Sequence, residues 1–162
     1  AFTGHHIMNG DKGFTYPAAL LMIVVVSSSL MVAQKQWSTV MKREREAELF
    51  FRAGQIIQAI DSYYLSSPGQ TRQYPRSFKV LLKDNRFPVV KRHLRKAYKD
   101  PFTGEDFGLV YDGRGGIKGV FSRSSDEPLK KGNFPKKYKS FENKKKYSDW
   151  RFVHQIQKEQ SS

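Results

Sequence analysis

The side chains best suited to catalysis or metal binding are few in this sequence and widely spaced. Its four histidines, His5, His6, His93 and His154, form no pair at a spacing typical of metal ligands. The chain has no cysteine, which excludes disulfides, thiolate chemistry and cysteine-ligated zinc. No serine lies in a nucleophile-elbow pattern, and Asp61 is expected to face solvent or form an ion pair. We therefore expect no enzyme, no cofactor and no metal site.

A glycine-rich segment, DGRGG at 112–116, is the second candidate for a functional motif. A phosphate-binding loop requires a strand, a glycine turn and then a helix whose N-terminus faces the anion. The residues that follow, IKGVFS at 117–122, alternate in polarity and include β-branched side chains. This pattern predicts a hairpin turn between two strands.

An apolar run, FTYPAALLMIVVVSSSLMVA at 14–33, contains twenty residues and no charge. As a helix rising about 1.5 Å per residue it measures about 30 Å, the thickness of a bilayer's hydrocarbon core. Pro17 lies in the first turn, where its missing N–H costs nothing. The hydroxyls of Ser27, Ser28 and Ser29 can bond back to the preceding turn. The run therefore predicts a membrane-spanning helix.

A polar segment, AFTGHHIMNGDKG, precedes the apolar run, and Lys12 at its end should hold the N-terminus in the cytoplasm. The Lys-Gly-Phe-Thr junction followed by an apolar helix resembles the N-terminus of type IV prepilins and type II secretion pseudopilins. The resemblance implies that a membrane peptidase cuts after Gly13 and methylates Phe14. The apolar run would then be both a signal and a retained span.

One position departs from the family pattern. The family usually carries a glutamate at the fifth mature position, which is Ala18 here, and no acid lies between Asp11 and Glu44. In most members that carboxylate is thought to pair with a neighbour's N-terminal amine during assembly. A minor subunit thus becomes more plausible, although major and minor roles both stay open. The residues expected to form the assembly helix include Pro17, Ala18, Leu20, Leu21 and Val24.

The helical pattern continues beyond the apolar run without a breaker until Pro68. Trp37 stands one turn past the run, where an indole would lie at the headgroup level. Residues 34–48 are amphipathic, with Glu46 assigned to the polar side. An apolar stripe follows at spacings of three and four, formed by Leu49, Ala53, Ile56, Ile57, Ile60, Tyr63 and Tyr64. We expect one helix from about Thr15 to Leu65 whose second half is buried.

The remaining sequence predicts a small sheet that covers this stripe. Strands are expected at 107–111, at 117–122 and near 150–154, with Phe107, Leu109 and Tyr111 on one face. Ser77 could cap a short helix that ends at Pro88, and an Asp-Pro-x-x-Gly turn at 100–104 is frequent in the pseudopilin group. The lysine-rich segment between Ser124 and Asp149 is predicted to be a long loop anchored by Phe134, Tyr138 and Phe141.

These assignments give an α+β fold of the pilin-like class, in which a long N-terminal helix with a transmembrane half and an amphipathic half packs against a small antiparallel sheet. The predicted segments are a leader at 1–13, a transmembrane and assembly helix at 14–36, a periplasmic head at 37–154 and a flexible tail at 155–162.

The formal net charge of +14 is concentrated in two blocks. The segment from Arg72 to Lys99 contains ten Lys/Arg and one acid. The segment from Lys130 to Lys146 contains eight lysines and one acid, Glu142. Such blocks either keep the chain soluble or attract phospholipid headgroups, nucleic acid or acidic proteins. The residues of the candidate face for an anionic partner are Arg72, Arg76, Arg92, Arg95 and Lys96.

The resemblance also suggests a calcium site, because major secretion pseudopilins often bind calcium in a late β-loop. The oxygen donors present here are Ser122, Ser124, Ser125, Asp126 and Glu127. Calcium prefers six to eight oxygens with several carboxylates, so Asp126 and Glu127 in a lysine-rich loop make a weak site.

Three hypotheses of function follow. The first is a pseudopilin or pilin-like subunit in a bacterial inner membrane, with its head in the periplasm. Its partners would be sister subunits, the prepilin peptidase, the assembly platform and the lipid bilayer. The second is a minor pilin whose basic head binds DNA or another anionic partner. The third is an enzyme or sensor tethered by an uncleaved helix.

Overall fold

The computed structural model describes residues 15–69 and 71–156, apart from the side chains at 30–33 and at 35. The chain divides into two compact units, Ala1–Met41 and Lys42–Ser162. The predicted leader at 1–13, Phe14 and the last six residues of the predicted tail lie outside the described residues. Helix α1 spans Thr15–Leu65, which confirms the helix that the sequence predicts at these bounds.

Helix α1 ends where the sequence offers a stop signal. The amide of Ser66 still donates to the carbonyl of Ser62, at 3.0 Å, but Pro68 cannot continue the helical hydrogen bonding. Gly69 then adopts a φ of 82°, in the left-handed region that glycine enters without a steric penalty. The chain can therefore turn away from the helix at this point.

Three short strands form one antiparallel sheet in the order β1-β2-β3. They are β1 (Gly108–Tyr111), β2 (Ile117–Phe121) and β3 (Arg151–Val153). Asp112 organises the β1–β2 turn, since its Oδ1 accepts hydrogen bonds from the amides of Arg114 (3.0 Å) and Gly116 (2.6 Å). The glycine-rich segment is thus a hairpin turn, as predicted.

Strand β1 ends at an irregularity in its pairing with β2. The pairing register shifts between Val110 and Tyr111, an irregularity of the β-bulge type. The extra residue of this irregularity lies in β2, since the partner of β1 passes from Gly119 to Ile117. Tyr111, at the end of β1, is 53% exposed, while Phe107 is buried.

The core of the second unit joins the α1 stripe to the sheet and the loops around it. Leu49, Ala53, Ile56 and Ile60 have no exposed surface, and they belong to one cluster with side chains from β2 and β3. Other members of this cluster are Ile117, Val120, Trp150 and Phe152. The α+β fold and the burial of the stripe are confirmed.

The other irregular segments contain short helices. Helix α2 spans Lys79–Leu82, and Ser77 Oγ accepts a hydrogen bond from its first amide at 3.2 Å. The helix ends at Leu82, several residues before Pro88, because Lys83 already has an extended conformation. Two 3₁₀ helices, Lys136–Phe141 and Tyr147–Asp149, interrupt the segment that was predicted to be a loop.

Gly119 offers a test of how closely β2 and β3 pack. A Cβ at this position would lie 2.2 Å from the carbonyl oxygen of Phe152, which is backbone and cannot rotate away. We expect Gly119→Ala to lower the free energy of unfolding by about 2 kcal/mol or more, measured by urea denaturation of the full chain in mild detergent. Gly113→Ala is the control, since its Cβ would meet no atom within 4 Å. Equal effects of the two substitutions would contradict this packing.

Candidate functional site

The first part of α1 carries an exposed apolar surface. The large side chains Tyr16 and Leu20 to Val26 are between 48% and 73% exposed, and Pro17 and Ala18 are exposed as well. Since these apolar residues are consecutive, they cover every side of the helix. A helix that is apolar all round is normally buried in a large core or in lipid. The predicted assembly residues Leu20, Leu21 and Val24 all lie on this surface.

Two serines in this segment satisfy their own hydroxyl groups. Ser28 Oγ donates to the carbonyl of Val24, and Ser29 Oγ donates to the carbonyl of Val25 at 2.9 Å. For Ser28 and Ser29, this confirms the prediction that the hydroxyls bond back to the preceding turn. Because a donor bonded in this way needs no water, both residues are compatible with an apolar environment.

Within residues 15–69 and 71–156, no helix reaches the length and apolarity that crossing a membrane requires. The predicted transmembrane segment at 14–36 includes Phe14 and the side chains at 30–33 and 35, which lie outside the described residues. The predicted processing residues Gly13 and Phe14 also lie outside them.

In the second unit, Glu46 forms the centre of a buried polar site. Its Oε1 accepts hydrogen bonds from the amides of Leu129 (2.7 Å) and Lys130 (3.2 Å) and from the hydroxyl of Tyr147 (2.7 Å). The assignment of Glu46 to the polar face was wrong, since the residue is buried. Its place three residues before Leu49 continues the three-and-four spacing of the stripe, and this spacing is the signal that could have identified it.

Tyr147 is fully buried beside this carboxylate. Burial, and then the bond to Glu46, raise the pKa of its phenol far above the ordinary value of 10. The hydroxyl therefore stays protonated and can act as a donor. The ring stacks on Phe102 with centroids 3.9 Å apart, and Lys42 Nζ lies 5.8 Å from its centroid. Glu46 and Tyr147 together fix both ends of the lysine-rich segment against α1.

A second buried carboxylate, Asp84, anchors the segment that follows α2. Its two oxygens accept hydrogen bonds from the backbone amide, Nε and Nη2 of Arg86, the shortest of which is 2.7 Å. Arg86 also lies over the ring of Tyr63, 3.6 Å from the centroid, and donates to its carbonyl. This arrangement ties the chain around Asp84 to the C-terminal end of α1.

The hydrogen bonds at Asp84 outweigh its burial. Burial alone would raise the pKa of this carboxyl, but the bonds from Arg86 and His93 lower it from 3.8 to about 2. The side chain is therefore ionised throughout the physiological pH range.

Two histidines each join a carboxylate to a hydroxyl. His93 Nε2 lies 3.0 Å from Asp84 Oδ2, and His93 Nδ1 lies 2.8 Å from Ser62 Oγ. An ionised carboxylate can only accept, so Nε2 carries a proton and donates it to Asp84. The order Asp–His–Ser is that of a hydrolytic triad. However, the His93 side chain has no exposed surface, so it cannot exchange a proton with a substrate.

The second pair, His154 and Asp61, lies at the edge of a cleft. His154 Nε2 is 2.9 Å from Asp61 Oδ1, and its Nδ1 is 3.0 Å from the hydroxyl of Tyr74. Burial above all raises the pKa of Tyr74, which keeps this phenol protonated. The expectation that Asp61 is solvent-facing or paired is confirmed. Sequence spacing could not reveal the Asp61–His154 pair, because these residues are 93 positions apart. Asp84 and His93 are nine positions apart in an irregular segment, where no regular period relates them.

The cleft has a volume of about 590 Å³, and its walls are half polar. It is lined by the end of α1, including Ile57 and Asp61, by Arg72 and Lys137, and by residues from Val153 to Ile156. Of the five residues predicted to form an anionic-partner face, Arg72 alone lines it. The other four, Arg76, Arg92, Arg95 and Lys96, are exposed elsewhere on the second unit.

The weak calcium candidates Asp126 and Glu127 are both exposed. The carboxylate of Glu127 pairs with Lys131 Nζ at 2.7 Å, and this pairing lowers its pKa. Among the described residues, no group of three or more His, Asp or Glu side chains is placed to hold a metal ion.

No family model, no curated protein and no solved structure matches this chain.

Glu46 is expected to stabilise the second unit through its three hydrogen bonds. Glu46→Ala leaves two amides and the Tyr147 hydroxyl unpaired, so the free energy of unfolding should fall by about 3 kcal/mol. Glu44→Ala is a matched control on an exposed position of the same helix, and it should change stability by less than about 0.5 kcal/mol. Urea denaturation followed by near-UV circular dichroism measures both. Similar losses for the two variants would contradict the role of Glu46.

Asp84 is expected to make stability depend on acid pH. A carboxyl whose folded pKa is lowered contributes stability above its unfolded pKa and loses it as pH falls towards the folded value. The shift from 3.8 to about 2 corresponds to about 2 kcal/mol, about half of which is lost by about pH 3. The stability difference between the parent protein and Asp84→Asn should therefore narrow by about 1 kcal/mol between about pH 6 and pH 3.

The control for this measurement is Asp106→Asn, since the Asp106 side chain is 77% exposed. Carboxyls common to both proteins cancel in each comparison, so a difference that stays constant for Asp84→Asn would rule out the lowered pKa.

Proposed function

We propose that this chain is a pilin-like subunit of a type II secretion or type IV pilus-like filament. The peptidase that processes prepilins cuts it between Gly13 and Phe14, and its apolar helix is retained in the inner membrane with the head in the periplasm. The observation that carries this proposal is the composition of α1. One helix bears an uncharged, exposed apolar segment at 15–29 and, further on, a stripe buried beneath an antiparallel sheet.

The exposed segment requires an apolar partner from outside the chain. Leaving eight large apolar side chains in water is unfavourable by about 25 cal/mol for each Å² of their surface. Lipid removes this cost, and so do the matching helices of sister subunits. A subunit can therefore pass from the membrane to a filament core, because one apolar surrounding replaces the other.

Because position 18 is an alanine, the interaction that moves the subunit from the membrane into the filament has to be apolar packing rather than an ion pair. With no carboxylate there, no ion pair forms between this helix and the N-terminal amine of a neighbour at that position. Packing of small and branched side chains has to supply the contact instead. This supports a minor subunit that adds at a specific place rather than a repeating one.

The second unit supports a structural role more than a catalytic one. The His93 side chain between Asp84 and Ser62 has no exposed surface. The Asp61–His154 pair has a phenol as its third member rather than a nucleophile poised beside a base. The proposed partners are thus sister subunits, the prepilin peptidase and the inner-membrane assembly platform.

Processing tests the proposal directly. Gly13→Trp should abolish cleavage, because the residue before the cut must be small to fit the peptidase, and the protein from membranes should keep its full mass. Gly4→Trp is the control within the same leader and should be processed normally. Mass spectrometry of the membrane-extracted protein reports the cleavage point and a methyl group on Phe14. A parent protein that retains residues 1–13 would overturn the proposal.

A further inference from the structure

The segment from Leu129 to Tyr147, here called the lysine loop, is strongly basic. It contains eight lysines and one acid, Glu142, and all eight lysines are exposed. These lysines are Lys130, Lys131, Lys136, Lys137, Lys139, Lys144, Lys145 and Lys146.

The backbone of the lysine loop is held in place. Glu46 accepts hydrogen bonds at both of its ends, from Leu129 and Lys130 and from Tyr147. Across the loop, the amide of Asn143 donates to the carbonyl of Lys131 at 3.3 Å. Phe134 and Phe141 are buried in the core. The lysine side chains are thus presented from a fixed scaffold, which reduces the ordering that binding would require.

The identity of the side chains favours a phosphate surface over single-stranded nucleic acid. Every cation in the loop is a lysine, a point charge on a flexible stem that suits phosphate groups of variable position. Binding of single strands also uses aromatic rings on which bases stack. Here Phe134, Phe141 and Tyr147 are buried, and the partly buried Tyr138 already stacks on Phe141 with centroids 5.2 Å apart. The loop therefore lacks a row of free rings on which successive bases could stack.

Covalent connection limits the distance between the anchor of this loop and the proposed transmembrane segment. Its anchor, Glu46, follows the last residue of the proposed transmembrane segment, Gln36, by ten positions. Ten residues of chain reach at most about 36 Å, whatever their conformation. Lysine attraction to an anionic membrane acts within a Debye length, about 10 Å at 0.1 M salt. The tether keeps the loop close enough to find that surface repeatedly.

We propose that the lysine loop binds the anionic phospholipid headgroups of the membrane that holds the apolar helix. This inference rests on the proposed function, since it needs the helix to be inserted. The contact holds the subunit's head at the membrane surface before assembly and has to be released when the subunit leaves the bilayer.

The test uses the full chain reconstituted in vesicles of phosphatidylcholine alone or of phosphatidylcholine with about 30% phosphatidylglycerol. Alkaline carbonate first reports whether the chain is inserted. Acetylation of lysines, read residue by residue by mass spectrometry, then reports protection. In anionic vesicles we expect the loop lysines to react at least about threefold more slowly than in neutral ones, and high salt should remove the difference. Lys79 and Lys83 are internal comparators and should react alike in both.

A charge-reversal variant tests whether the protection of the loop lysines from acetylation depends on their charge. The triple substitution Lys136→Glu, Lys137→Glu and Lys139→Glu should abolish the lipid-dependent protection of Lys144–Lys146. A matched triple substitution at Arg76, Lys79 and Lys83 should preserve it. Circular dichroism confirms that both variants are folded, and a triple variant that does not fold is replaced by the single substitution Lys137→Glu, for which a partial loss of protection is expected.

The outcomes distinguish this proposal from the one on which it rests. Extraction by carbonate would overturn the inserted helix and the loop proposal with it. Retention with equal acetylation in both vesicles would overturn the loop proposal alone. Equal acetylation together with protection of the loop by a duplex DNA fragment at the same salt would also overturn it and assign the lysines to nucleic acid.

Discussion

The hydrogen bonds that Glu46 accepts connect α1 to a segment of the second unit that has little regular structure of its own. The three strands contain only four, five and three residues, so most backbone amides of this unit lie outside a sheet ladder. Buried amides must still be paired, and charged acceptors form the stronger bonds. Glu46 meets this requirement for Leu129 and Lys130, and Asp100 does so for Phe102 and Arg123. Outside the short sheet, buried carboxylates thus take the place of neighbouring strands as hydrogen-bond acceptors for backbone amides.

The two parts of α1 are subject to opposite requirements. From Leu49 to Tyr63 the stripe is covered by the chain's own sheet and loops, so its side chains need no external partner. From Thr15 to Ser29 the side chains are apolar, uncharged and exposed, and the two described serine bonds return to the helix itself. The same helical geometry therefore serves a self-sufficient core in one part and a surface that depends on its surroundings in the other.

Periodicity in the sequence was sufficient to predict helix α1 and the strands, but it did not predict the polar contacts between side chains. The bounds of α1, the hairpin at Asp112 and the three strands follow from local patterns and turn residues, and the structure confirms them. The register shift beside Tyr111 could not be predicted, because such a shift is a property of two paired strands. Glu46 was misplaced because its charge suggested solvent, although its spacing placed it on the buried stripe. The pair Asp61–His154 is a contact across 93 positions, which no local window contains. Asp84 and His93 are nine positions apart, but they lie in an irregular segment where no helix or strand period relates them.

The two tryptophans of the chain stand in contrasting surroundings, one in each unit. Trp150 has no exposed surface and is enclosed by Phe141, Phe134 and Tyr147, whereas Trp37 is 70% exposed. Indole fluorescence shifts to longer wavelength in contact with water. The two tryptophans of the unmodified protein should therefore emit at different wavelengths. Collisional quenchers dissolved in the buffer reach Trp37 while sparing Trp150. The environment of the first indole can therefore be followed without labels, with and without vesicles, while the second reports whether the second unit remains folded.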